Sequence, residues 1–203
     1  MYYEDTRAHG LAFDPFKAII APRPIGWIST VDAEGRDNLA PYSFFMAFGS
    51  HPHTIGFSSD GLKDSAANAV ATGEFVYNLV TKPLIDQMNV TSARLPPGQS
   101  ESLHAGLDML PSTRVKPLRV AKSPAALECR VVHHFEVPDL EGQGTGNHVV
   151  IGQVVGIHID EAYITDGRFD MVKAQTVARC GYRDYAEVTE LFELQRPDSP
   201  LTV

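Results

Sequence analysis

HVVIGQVVGIHID, residues 148 to 160, decides the fold. Val150, Gly152, Val154, Gly156 and His158 alternate with Val149, Ile151, Val155, Ile157 and Ile159. A strand therefore carries one slim face and one mostly aliphatic face. Glycines inside a strand mark bends or close approaches, as a tightly coiled barrel requires. Working outward, four more runs rich in Val, Ile, Phe and Tyr predict strands: AIIAPRPIGWISTV (18–31), HTIGFSS (53–59), EFVYNLVT (74–81) and AALECRVVHHFEV (125–137). DAEGRDN (32–38) reads as a hairpin turn through Gly35. Helices are few: KDSAANAVATG (63–73) ends at a glycine, KPLIDQMNVTSARL (82–95) opens on Pro83, and AEVTELFEL (186–194) repeats apolar residues at helical spacing. LPPGQSES (95–102) is loop-like, and RPDSPLTV (196–203) reads as a tail. The expectation is a mainly β protein, a β-barrel with a few peripheral helices, in a single domain over 1–203 with its core at about 10–185.

Composition narrows the function. The chain has 203 residues, 43% hydrophobic and 21% charged, enough to bury a sizeable core. Seventeen Lys and Arg against 25 Asp and Glu leave a net charge of −8 with no basic run, which argues against nucleic acid and anionic membranes as partners. No 18-residue apolar stretch occurs, and MYYEDTRAHG lacks a signal-peptide layout, so a cytoplasmic protein is expected. Cys129 and Cys180 sit among apolar neighbours and read as core thiols.

Two segments could carry chemistry. FSSDGLKDSAANAV joins a strand, a polar loop and a helix start, placing Ser58, Ser59, Lys63 and Ser65 near free backbone amides. An anion such as a phosphate is attracted there by the amides, the helix dipole and the lysine charge. The alternative is that Asp60 or Asp64 merely caps the helix. NLAPYSFFMAFG (38–49) is nearly all apolar, yet broken by Pro41 and Ser43, and suits either a flat ring system lying along it or an ordinary buried edge strand. The histidines do not make a metal site: His51-Pro52-His53 belongs to a turn, and neighbours His133 and His134 point to opposite faces of a strand. Neither G-x-S-x-G nor G-x-G-x-x-G occurs.

RPIGWIST (23–30), NLAPYSFF (38–45), KDSAANA (63–69), EFVYNLV (74–80) and NHVVIGQVV (147–155), in this order, resemble the flavin reductase-like family. The resemblance implies an FMN-binding split β-barrel, a homodimer, and transfer of a hydride from NAD(P)H to flavin, with a monooxygenase as the candidate partner that receives reduced flavin; a non-catalytic FMN-binding protein of the same fold is the alternative. By position, it implies that Asn38, Ala40, Pro41, Tyr42, Ser43 and Phe44 hold the flavin ring and ribityl chain, and that Ser58, Ser59, Lys63, Ser65 and Asn68 surround the phosphate. Arg23 is implied in supporting ring or phosphate, with a surface ion pair as the alternative. His148 is implied on the nicotinamide side as a catalytic residue. VARCGYRDYA (177–186) resembles an altered form of a family region, so flavin contacts from Tyr182 and Tyr185 stay open. FMN would carry the hydride chemistry, which explains why no triad, paired carboxylates or metal motif is needed.

Overall fold

The computed structural model describes residues 1–4, 9–93, 95–96 and 99–195. The strands are β1 Arg23–Pro24, β2 Gly26–Val31, β3 Asp37–Tyr42, β4 Phe45–Ser50, β5 His53–Asp60, β6 Glu74–Asn78, β7 Met109–Leu110, β8 Arg119–Val120, β9 Ala125–Pro138, β10 Gly144–Ile159, β11 Ile164–Thr165, β12 Arg168–Phe169, β13 Val177–Arg179 and β14 Tyr185–Glu187. Among the described residues four short α-helices accompany them: α1 Phe16–Ile19, α2 Asp64–Thr72, α3 Ile85–Val90 and α4 Glu101–His104. Seven strands form one antiparallel sheet in the order β3-β2-β6-β9-β10-β5-β4. Its two edge strands, β3 and β4, are consecutive in the chain and joined only by Ser43 and Phe44. A flat sheet would hold its edges roughly 29 Å apart at about 4.8 Å per strand. Two residues span roughly 10 Å at most. The sheet must therefore curl until its edges meet, and Ser58 N donates to Phe44 O (2.8 Å), extending the β4–β5 ladder up to the joint.

The barrel packs on both faces. Inside, Ile28, Ile55, Phe57, Phe75, Cys129 and Val150 form one core, plugged by Ala66 and Ala69 of α2. Outside β2 and β3, Trp27, Leu39, Val80, Leu84, Met88 and Val120 form another. Every residue of β2 is buried, because its odd and even positions serve different cores. The strand glycines permit close approach as expected: a Cβ on Gly152 would stand 2.4 Å from the Phe75 ring, and one on Gly26 2.6 Å from Phe45. Cys129 lies in the inner core, where burial pushes its thiol up; Cys180 is half-buried and also free.

The strands expected at 53–59, 125–137 and 148–160 appear as β5, β9 and β10, and the turn at 32–38 closes the β2–β3 hairpin with Gly35 at φ +82. The run 18–31 is interrupted: α1 and a cis Ala21–Pro22 bond precede β1 and β2. The run 74–81 forms β6 only to Asn78, with an isolated bridge from Thr81 to Thr176. The helix expected over 63–73 is α2, closed by Gly73 in the left-handed conformation. The one expected over 82–95 shrinks to a 3₁₀ turn at Lys82–Leu84 and α3. The C-terminal helix expected over 186–194 does not form. Tyr185–Glu187 pairs with β13 instead, and the described residues beyond have no regular structure. Phe192 and Leu194 stay about 90% exposed, so no packing surface rewards a short helix there. Residues 196–203, read as a tail, lie outside the described residues. Among the described residues no helix is long and apolar enough to cross a membrane.

Candidate functional site

Strand alternation deals the 38–44 segment to two sides. In the β2–β3 ladder Asn38, Ala40 and Tyr42 stand opposite Thr30, Ile28 and Gly26 and face the barrel interior. Tyr42 packs on Phe57 at 4.8 Å between centroids. Burial pushes its phenol above the ordinary value. Pro41 faces the other way, toward Trp27. With Ser43 it lines a cavity of about 250 Å³, completed by Ile25, Met88, Asn89, Ser92, Arg179 and Tyr185. Arg179 stacks on Tyr185 (4.5 Å to the centroid), while Tyr182 packs on Phe13 elsewhere. Met88, Asn89, Ser92 and Arg179 were invisible to sequence reasoning, since they come from α3, the residues after it and β13. The only available signal was the proximity of Arg179 and Tyr185 in VARCGYRDYA.

Phe44 is exposed at the joint, with the Lys17 ammonium at 5.8 Å and the Arg23 guanidinium at 5.9 Å from its ring. Arg23 is buried and forms no ion pair among the described residues. Its Nη1 donates to Lys17 O and its Nη2 to Cys180 O (2.9 Å), tying α1 and the turn after β13 to the barrel, while its Nε has no partner.

The 58–65 segment ends β5 and starts α2. The helix begins after Lys63, whose side chain makes no capping bond, and neither Asp60 nor Asp64 takes that place. The first amides of α2 therefore lack a side-chain acceptor, and the capping alternative raised by the sequence does not hold. Lys63 is exposed beside them. Ser58 and Ser59, adjacent on β5, face opposite ways: Ser58 pairs with Val149 and is half-buried, while Ser59 is buried opposite His148 with no partner for its Oγ.

Ser65 and Asn68 belong to a different set. Asn38 Nδ2 donates to Ser65 Oγ (2.7 Å) and to Thr30 Oγ1 (3.4 Å), and Asn68 Nδ2 donates to the same Thr30 oxygen (3.3 Å). These four side chains bond to one another beneath α2 and hold it against β2 and β3. Ser65 is thus left to serve the helix tip through its backbone amide.

His148 lies on β10, in register with Ser59 on one side and Glu136 on the other. Its Nδ1 is 3.3 Å from Nε2 of His134, with the rings stacked. His134 pairs with Val150 and His133 with Ile151, so the two neighbours do point to opposite faces. His51 and His53 sit at the turn between β4 and β5.

The sequence model for the flavin reductase like domain matches residues 20–172. The chain belongs to the flavin reductase-like family. An uncharacterized protein of Deinococcus radiodurans is 35% identical over 192 residues, covering 88% of this chain and 82% of that one. The crystal structure of nitrilotriacetate monooxygenase component B from Bacillus cereus superposes with a TM-score of 0.85 at 28% identity, covering 96% of this chain and 98% of that one. That of the Pseudomonas fluorescens 2-nitrobenzoate 2-nitroreductase NbaA superposes with a TM-score of 0.79 at 26% identity, covering 90% and 89%. The mainly β split-barrel architecture is shared with these flavin reductase-like proteins.

Proposed function

We propose that the chain is an FMN-dependent oxidoreductase drawing hydride from NAD(P)H, with reduced flavin available to a partner monooxygenase. The observation that carries this reading is the uncapped tip of α2 with Lys63 beside it, a few residues after Ser58 of β5. These residues fit the group: unpartnered helix amides, an ammonium and a hydroxyl are the donor set a phosphate takes. Lys63, Ser58 and the first α2 amides would hold the phosphate, and Pro41 and Ser43 with the cavity beside them would hold the ring. FMN, when bound, supplies the ring that accepts hydride from the nicotinamide. The chain's own work is to bind, orient and exclude water. The inner polar set of Asn38, Ser65, Thr30 and Asn68 keeps α2 aimed, and His148, held by His134, is the residue we assign to the nicotinamide side. The monooxygenase link follows the B. cereus neighbour, named as a component of such a system.

We also propose a homodimer. Met46, Phe48, Val132, Phe135 and Ile157 leave β4, β9 and β10 with exposed apolar side chains, more than one subunit covers. Sedimentation of the FMN-loaded protein at micromolar concentration should give twice the chain mass; a monomer overturns this. The functional test mixes purified protein, FMN and NADH or NADPH. Nicotinamide oxidation above the free-flavin background is expected with at least one donor, and its absence with both, despite FMN binding, would leave the non-catalytic carrier.

A further inference from the structure

Two histidines on adjacent strands, His134 of β9 and His148 of β10, hold each other, and the way they share a proton decides what His148 offers a ligand. Both are half-buried on the inward face: His134 is in register with the core residue Val150, and His148 with the buried Ser59 of β5. His134 Nε2 and His148 Nδ1 are 3.3 Å apart, and the ring planes are 18° from parallel with centroids 5.4 Å apart. The centroid separation exceeds the nitrogen separation by nearly two ring radii. Both nitrogens therefore lie close to the line joining the rings, and a proton on either points at the lone pair of the other.

Among the described residues no carboxylate bonds either ring. Glu136, opposite His148 on β9, turns instead to the hairpin tip, where its Oε1 accepts from Gly146 N (2.7 Å). A Cβ on Gly144 would stand 2.4 Å from the same oxygen, so that glycine leaves room for the carboxylate to fold there. The proton arrangement is thus set by the two rings themselves. Neutral imidazoles can share one hydrogen bond in two ways. If His134 donates, each ring carries its proton on Nε2; if His148 donates, each carries it on Nδ1. In water a neutral histidine side chain favours the Nε2–H form, so the first arrangement has both rings in the favoured tautomer and the second has both in the disfavoured one. In the first, the free nitrogen of His148 is a donor and suits a carbonyl oxygen.

We propose that His134 is a positioning residue: it donates from Nε2 to His148 Nδ1, so that His148 presents Nε2–H to the carboxamide oxygen of the nicotinamide. The choice of acceptor rests on NAD(P)H being the hydride donor, whereas the proton arrangement does not. Proton–nitrogen correlation spectra of the isotope-labelled, FMN-loaded protein test the arrangement without turnover. At about pH 8.5, above the range in which imidazoles ordinarily carry charge, they report which nitrogen of each ring is protonated, and the signals lost in His148→Gln assign that ring. His148 should hold its proton on Nε2, with Nδ1 shifted as a hydrogen-bond acceptor. His134→Phe, which keeps a ring without nitrogen, should abolish that shift. With NADH or NADPH it should raise KM about three- to tenfold, the worth of one hydrogen bond, and leave kcat within about twofold. Added to His148→Gln it should cost nothing further, because it acts through that ring. Thermal melting shows whether each variant folds, and His134→Leu takes the place of the phenylalanine variant if that one does not. The proposal is overturned if His148 is protonated on Nδ1, if the folded His134 variant leaves its nitrogen shifts as in wild type, or if the double variant shows both losses in full. Should wild type oxidise neither nicotinamide, the hydride reading fails, and the spectra still decide the role of His134.

Discussion

Two polar groups of residues meet at α2, one beneath it and one at its tip. Beneath, Asn38, Ser65, Thr30 and Asn68 spend their hydrogen bonds on each other, and all four are buried or half-buried. At the tip, Lys63 is exposed, the first amides lack a capping side chain, and the half-buried Ser58 lies on the strand that leads into the helix. A group satisfied within the fold positions a helix, whereas one left unsatisfied awaits a ligand. Both sets contain serines that look alike in the sequence, so the difference can be tested residue by residue.

The largest effect is expected at the open end. Lys63→Ala removes a charge-assisted contact worth roughly 1.5–3 kcal/mol, a tenfold to hundredfold loss of FMN affinity. Riboflavin, which lacks the phosphate, should bind the variant as it binds wild type. Fluorescence titration with both flavins decides this, and an equal loss for both would mean that Lys63 serves the fold. Ser65→Ala should behave oppositely: it breaks the closed set and leaves Asn38 Nδ2 underused, costing about 1–3 kcal/mol of stability. A chemical denaturation midpoint reads that loss, while the FMN-to-riboflavin affinity ratio stays at its wild-type value. A phosphate-specific loss in Ser65→Ala would merge the two sets into one.

The smallest effects separate the two strand serines. Ser58→Ala should cost FMN affinity about three- to tenfold, the worth of one hydrogen bond of roughly 0.5–1.5 kcal/mol. Ser59→Ala should leave FMN affinity within about twofold and stability unchanged or raised, because its hydroxyl has no partner to lose. Equal losses in the two variants would mean that Ser59 rotates toward the ligand and that the inward and outward faces of β5 are not the boundary drawn here.

How far the sequence was legible follows from the range of each force. The alternation in 148–160, the glycine stop after α2 and the Gly35 turn depend on neighbours along the chain, so residue order alone determined them, together with the mainly β barrel; it also nominates Ser58, Lys63, Pro41 and Ser43 as candidates. Tertiary structure decided which way each of those residues faces. Asn38 and Tyr42 turn inward, because β3 pairs with β2 in a register that places them against the barrel core, and Ser65 on α2 meets Asn38 there. Arg23 became a clamp on two backbone carbonyls, one of them 157 residues away. The apolar spacing of 186–194 suggested a helix, but only packing rewards a short helix, and the exposed Phe192 and Leu194 find none. The cavity beside Pro41 draws on α3, β13 and β14, and the His134–His148 pair on β9 and β10. Local pattern specifies which element forms; where distant side chains meet is set by strand pairing and curvature, which bring together residues that carry no shared signal along the chain.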